Sequence, residues 1–273
     1  IELHEDFKIY WNKYPIAKLS TGTDYLNPNF NLIIDDIVDQ GPKQKLNEYV
    51  YKWIKKKVYE VLKSLVDLKN IKEKNPSIKA LAYQLYENNG VLKRDQVLEY
   101  LKNLGQTERK ILRDLGVKFG RYHVFLYRLI KPEAVALRTL LWKNYNQKYF
   151  NLKPPTFGLN FLENKDLKNK NFMLLCGFEK FDNFFVRIDI LERLFMLIIK
   201  SEKEIKMIPE MLNLLGCNKE NFKKLLKNMN YKVIEKNNEI FFKYIPEKNY
   251  KKSIKKNTIK ESPFGILKDL NLS

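Results

Sequence analysis

Thiols, imidazoles and guanidiniums are all scarce in this chain of 273 residues. It has two cysteines, Cys176 and Cys217, and two histidines, His4 and His123. Two isolated thiols in apolar settings give neither a disulfide framework nor a zinc-ligand spacing. They point to a reducing, cytoplasmic compartment. Two histidines exclude a multi-histidine metal site, and nothing in the spacing pairs a thiol with His123 as a nucleophile, so buried structural cysteines are the expectation. No run of about 18 apolar residues occurs, which leaves no membrane span, and no secretory signal is present. A Gly-x-x-x-x-Gly-Lys-(Ser/Thr) phosphate loop and an Asp-Glu-x-(His/Asp) metal motif are also missing. The carboxylate pair Asp35-Asp36 has no partner motif and reads as a cap or a solvated loop. No catalytic site, cofactor or metal is expected within the chain.

What is present is positive charge. The formal net charge is +19, which suits phosphate neutralisation and counterion release. Lysine outnumbers arginine 43 to 8, and with abundant Asn and Ile this matches an AT-rich coding bias that accounts for part of the excess. Two features outlast that discount. Residues 1–42 are net acidic, with seven acids to three lysines, so the charge is asymmetric. Six of the eight arginines (Arg94, Arg109, Arg113, Arg121, Arg128, Arg138) fall within 45 residues. The rigid guanidinium fork grips phosphate or carboxylate with two bonds, so the cluster fits phosphate contact or ion pairing between helices.

Periodicity divides the chain. Residues 1–41 read as an N-terminal β-hairpin turning at Asn12-Lys13, followed by a loop. Pro42 opens a long helix whose apolar positions, from Leu46 through Trp53 and Val58 to Val66, keep a three-four spacing. Its lysines read as a solvated face. Further helices are predicted at 77–88, 93–104, 107–114, 120–130 and 132–145, making 42–146 a helical bundle. Residues 147–170, with Pro154-Pro155, read as a linker. In 171–246 a hairpin turns at Asp182-Asn183, Asp189 stands as a cap, three short helices follow, and a second hairpin flanks Lys236–Glu239. That order is a winged-helix-like module. Residues 247–273 form a basic tail without an apolar pattern. The predicted fold is mainly α with small β-hairpins: a helical bundle followed by a winged-helix-like module. On the third short helix Phe222, Leu225, Leu226 and Met229 share the core side, while Lys223, Lys224 and Lys227 face away and are candidate nucleic-acid contacts.

The most informative stretch is Asp114 to Trp142. Gly116 and Gly120 bracket Lys118-Phe119 and free the backbone for a turn. Arg121, Tyr122 and His123 follow, then an apolar run to Lys131-Pro132-Glu133. This stretch resembles the region after the motor in bacterial superfamily II helicases related to the mitochondrial degradosome RNA helicase. They carry a similar Leu-Gly-Val-x-x-Gly-Arg-(Tyr/Phe)-x-x-(Phe/Leu)-Leu-x-x-Leu-x-Lys-Pro run. Trp11–Leu19 looks like their post-motor hairpin. Val186-Arg187-Ile188-Asp189-Ile190-Leu191-Glu192-Arg193-Leu194 is similar to their Val-Arg-(Val/Ile)-Asp-Met-Leu-Glu-Arg-Leu. Pro209–Cys217 and Ser262-Pro263-Phe264 also match.

The resemblance implies a non-catalytic C-terminal region of an ATP-dependent helicase acting on RNA rather than DNA. Its motor, with ATP and magnesium, would lie upstream in the same polypeptide, an expectation that the start at Ile1 rather than Met reinforces. The expected partners are single-stranded nucleic acid and that motor. Lys118, Arg121 and Arg128 would supply phosphate donors, and Tyr122 or His123 a ring for base stacking. The rival reading of this patch is structural, with Arg121 paired to a carboxylate and Tyr122 and His123 filling a helix junction. The alternative functions are a stand-alone winged-helix DNA-binding regulator and a protein-interaction scaffold.

Overall fold

The computed structural model describes residues 1–33, 39–73, 75–163, 169–198, 204–237 and 239–245. The Asp35-Asp36 pair, the basic tail 247–273 and its Ser262-Pro263-Phe264 match lie outside the described residues. The first sheet is a meander in sequence order, built from β1 (Glu2–Leu3), β2 (Lys8–Trp11), β3 (Tyr14–Asp24) and β4 (Asn27–Leu32). Asn12, at φ 54°, makes the β2–β3 turn, a conformation that Asn tolerates.

Helix α1 (Gln40–Lys69) follows, with a local break at Leu62 (φ −108°, ψ 24°). It buries Val50, Ile54, Val58, Leu62, Leu65 and Leu68. Asn75 caps α2 (Pro76–Glu87) by accepting from the backbone N–H of Ser77 and Ile78. Next come β5 (Val91–Lys93), α3 (Leu98–Lys102), α4 (Gln106–Asp114), β6 (Val117–Phe119), β7 (His123–Leu126) and α5 (Pro132–Tyr145). Strand β7 is central in the sheet β5-β7-β6. A single core runs from Ile9 of the first sheet through α1 and α2 to Leu141 of α5.

Strand β8 (Phe161–Glu163) lies within the stretch expected to be a linker and pairs with β10. It is followed by α6 (Lys170–Leu175), β9 (Phe178–Phe181), β10 (Phe184–Arg187) and α7 (Ile188–Ile198). The last described elements are β11 (Ile205–Lys206), α8 (Pro209–Leu215), α9 (Lys219–Asn228), β12 (Tyr231–Lys236) and β13 (Glu239–Tyr244). The two sheets here have orders β8-β10-β9 and β11-β13-β12. Phe184, Leu191, Leu194, Leu215, Phe222, Leu225 and Phe242 close the core beneath them.

This corrects the expectation of a mainly α chain made of a helical bundle and a winged-helix-like module. The described residues are 50% helix and 26% strand, an α/β mixture with four small antiparallel sheets. The physical reason is plainest at 120–130, predicted as a helix. Val124-Phe125-Leu126 is a short apolar run buried throughout β7, and such a run has no period that separates a buried strand from a helix. Residues 93–104 likewise divide into β5, a 3-10 turn over Arg94–Val97 and the short α3. Asp189 does not cap a helix by itself; its carboxylate takes a two-pronged bond from Arg187 at 2.6 and 3.1 Å as α7 begins.

Candidate nucleic-acid interface

The turn between β6 and β7 is where the sequence motifs meet. Gly120 donates to the His123 carbonyl at 2.8 Å, which aims the next three amide N–H groups outward from the turn. All three are taken by one side chain, Glu192 of α7. Its carboxylate accepts from Arg121 N at 2.5 Å, Tyr122 N at 2.9 Å and His123 N at 3.0 Å. The Gly-Arg-Tyr-His run and the Leu-Glu-Arg run, some 70 residues apart in sequence, thus form one joint. Gly120 makes room for it, because a Cβ there would sit 2.3 Å from the Glu192 carboxyl carbon. Gly120→Ala is therefore expected to expel the Glu192 carboxylate and cost about 1–3 kcal/mol. Denaturant unfolding reads this directly, and an unchanged midpoint would refute the pinned geometry.

His123 lies under this turn and is 2% exposed. Its Nε2 is 3.2 Å from Glu179 Oε2, and its Nδ1 is 3.7 Å from Glu192 Oε1. Lys93 closes the cluster with Nζ 2.8 Å from Glu179 Oε1. Burial by itself would depress the imidazolium, but bonds and charge from Glu179 and Glu192 outweigh it and raise the pKa above its ordinary value. Burial would likewise raise both carboxyls, yet His123, Lys93 and the turn amides hold them below their usual range. His123 is a buried structural strut with no face open to a base. Tyr122 is half-buried, edge-on to Phe195 at 5.8 Å. Burial, then a bond to Tyr231, raises its phenol pKa.

Arg121 is different. Its side chain is exposed, with the guanidinium 5.6 Å from the Phe195 ring and 6.0 Å from the Tyr244 ring. Among the described residues no carboxylate pairs with it. It edges a cleft of about 630 Å³ that also includes Lys93, Arg94, Lys180, Tyr244 and Asn228. Arg94 donates to the Gly120 carbonyl at 2.7 Å. Burial, then the like charges of Arg109 and Arg121, pull its pKa down.

The other expected contacts are dispersed. Lys118 and Arg128 line a separate cleft with Lys63, Asp67 and Arg113, where Lys118 Nζ is 5.4 Å from the Tyr127 ring. Lys223 is held by Glu220 at 2.9 Å and Glu235 at 2.7 Å, so its charge is already answered. Lys224 and Lys227 are exposed and share a helix face with Asn228, whose amide reaches Asp182 at 3.1 Å in the Arg121 cleft. Sequence reasoning missed Lys93, Arg94, Lys180, Tyr244, Glu179 and Glu192. Only Arg94, within the arginine cluster, and Glu192, within the Leu-Glu-Arg run, carried any signal.

Burial pushes the Cys176 thiol up to about 12 and the Cys217 thiol up to about 11, so neither is a thiolate at neutral pH. Among the described residues no three His, Cys, Asp or Glu side chains are grouped to hold a metal ion. No described helix is long and apolar enough to cross a membrane. Comparison with protein-family models, curated proteins and solved structures finds no match to this chain.

Proposed function

We propose that this chain is a non-catalytic accessory region of an ATP-dependent helicase that acts on RNA, contacting single-stranded nucleic acid and supporting the motor. ATP and magnesium belong to the motor in this reading. The observation that carries it is the Arg121 guanidinium, without a carboxylate partner among the described residues and presented at a cleft with Lys93, Arg94 and Lys180 by the Gly-Arg-Tyr-His run that resembles the helicase segment. The Glu192 clamp adds support, because it joins two of the helicase-like runs into one rigid mount. The two free thiols fit a cytoplasmic setting. A protein-interaction scaffold, with the basic faces meeting acidic partners, is the rival.

Salt separates the two readings from compositional charge alone. Each phosphate neutralised on a single strand contributes about 0.7 to the log–log salt slope. About three to four contacts would then lose roughly 20- to 50-fold in affinity between about 50 and 200 mM salt. Fluorescence anisotropy with a short single-stranded RNA is expected to show this fall without strong sequence preference. A flat response would mean that the positive charge is only compositional.

A further inference from the structure

The six clustered arginines divide by what their guanidiniums meet. Arg138 is fully buried on backbone carbonyls. Arg109 donates to the Leu101 and Leu104 carbonyls at 2.7 and 3.1 Å, and it lies with Arg113 against the Phe119 ring. Arg128 belongs to the cleft of Lys118. Arg94 gives one N–H to the Gly120 carbonyl at 2.7 Å and lines the larger cleft with Arg121, whose charge bears on it. Glu192, whose charge also acts on Arg94, already accepts three amide N–H bonds and lies beside His123. Like charges on one wall are stabilised when an anion enters beside them.

The form of that anion follows from the rest of the wall. The Arg121 guanidinium lies 5.6 Å from the Phe195 ring and 6.0 Å from the Tyr244 ring, and with no side-chain hydrogen bond among the described residues its N–H groups are free to fork two oxygens of one group. Lys180 is exposed in the cleft and has no acid partner among the described residues. Tyr244 is 40% exposed and Phe181 half-exposed, and rings of this kind stack on bases regardless of sequence. Asp95, Asp182 and Asn228 also line the cleft. Base edges, uracil's ring N–H included, carry donors that these oxygens can accept, whereas the side chains of an acidic peptide carry none. A volume of about 630 Å³ is also more than a lone ion fills.

Resting on the function proposed above, we infer that this cleft is the strand path: a single-stranded phosphodiester backbone lies with one phosphate between Arg121 and Arg94, the next by Lys180, and its bases against Tyr244 and Phe181. Lys224 and Lys227 continue the path along α9. Lys118 and Arg128 lie off it.

The test uses the full chain and a fluorescent single-stranded oligouridylate. Arg121 and Lys180 make no side-chain hydrogen bond among the described residues, so their removal orphans no polar partner there. Arg121→Ala with Lys180→Ala is expected to weaken binding at least ~10-fold and to reduce the salt slope by about 1.4, the share of two phosphates. Lys52→Ala with Lys56→Ala removes the same charge from the exposed face of α1 and is expected to change affinity less than ~3-fold. Equal losses in both pairs would overturn the strand path while leaving RNA contact standing. Failure of the unsubstituted chain to bind at about 50 mM salt, where phosphate contacts are strongest, would instead remove the parent reading. If a glutamate-rich peptide binds more tightly than the RNA and loses affinity with Arg121→Ala, the cleft serves an acidic protein and the inference is wrong.

Discussion

Arg138→Ala is expected to cost about 3–5 kcal/mol of stability. The guanidinium is 0% exposed and donates to the carbonyls of Asn89 at 2.7 Å, Leu129 at 3.1 Å and Leu175. Those carbonyls belong to the turn after α2, to the turn before α5 and to the end of α6, so one side chain ties three segments to the helix that carries it. No carboxylate stands beside it among the described residues. Burial alone pulls its pKa down to about 10, which leaves it charged at neutral pH on carbonyl dipoles only. Replacing a buried ion by an apolar residue can be neutral where its partner leaves too. Here the partners are backbone and stay behind, each orphaned at about 1–3 kcal/mol. Arg138→Met tests that logic, since it restores volume and leaves the carbonyls unpaired; most of the loss is expected to persist. Urea unfolding gives both values, provided m is unchanged. A loss under about 1 kcal/mol for Arg138→Ala would show that water or backbone adjustment satisfies the carbonyls.

The legible parts of this fold are those where one local signal acts alone. The three-four spacing from Leu46 to Val66 marks α1, which spans Gln40–Lys69. Asn12-Lys13 and Asp182-Asn183 mark two tight turns, and both occur, with positive φ at Asn12 and Asp182. What could not be read is the strand content between helices. The segments Val91–Lys93 and Val117–Phe119 are three residues long, too short to show a period of two. Their pairing with β7 is decided by partners elsewhere in the chain. The site shows the same division. Arg121 stands out because arginine is rare and follows a glycine, and its side chain is open to solvent. Tyr122 and His123 were expected to stack on bases, yet the joint turns them inward. That burial depends on Glu179 and Glu192, more than 50 residues away, and no local pattern announces such a meeting.

Glu192→Ala is expected to lose about 3 kcal/mol, because three turn amides lose their acceptor and His123 loses one of its two carboxylates. The pH dependence identifies the cause. A histidine whose folded pKa is raised contributes stability that is complete below its ordinary value of 6.5 and fades as pH climbs through the raised value. Carboxyls whose folded pKa is lowered contribute stability present above their ordinary 4.5 and lost as pH falls through the lowered values. The joint is therefore strongest between about 4.5 and 6.5 and weakens on both sides. The stability difference between the unsubstituted chain and His123→Gln is expected to be largest near pH 5–6 and to shrink by about pH 9. Glu192→Gln separates charge from hydrogen bonding. It keeps an acceptor oxygen for the turn amides, so it should cost less than Glu192→Ala, but it removes the negative charge beside Nδ1. The alkaline decline should then begin at lower pH, because less charge holds the proton on His123. A Glu192→Gln chain whose decline falls at the same pH as the unsubstituted chain would assign the whole effect to Glu179, leaving Glu192 as a clamp for the turn alone.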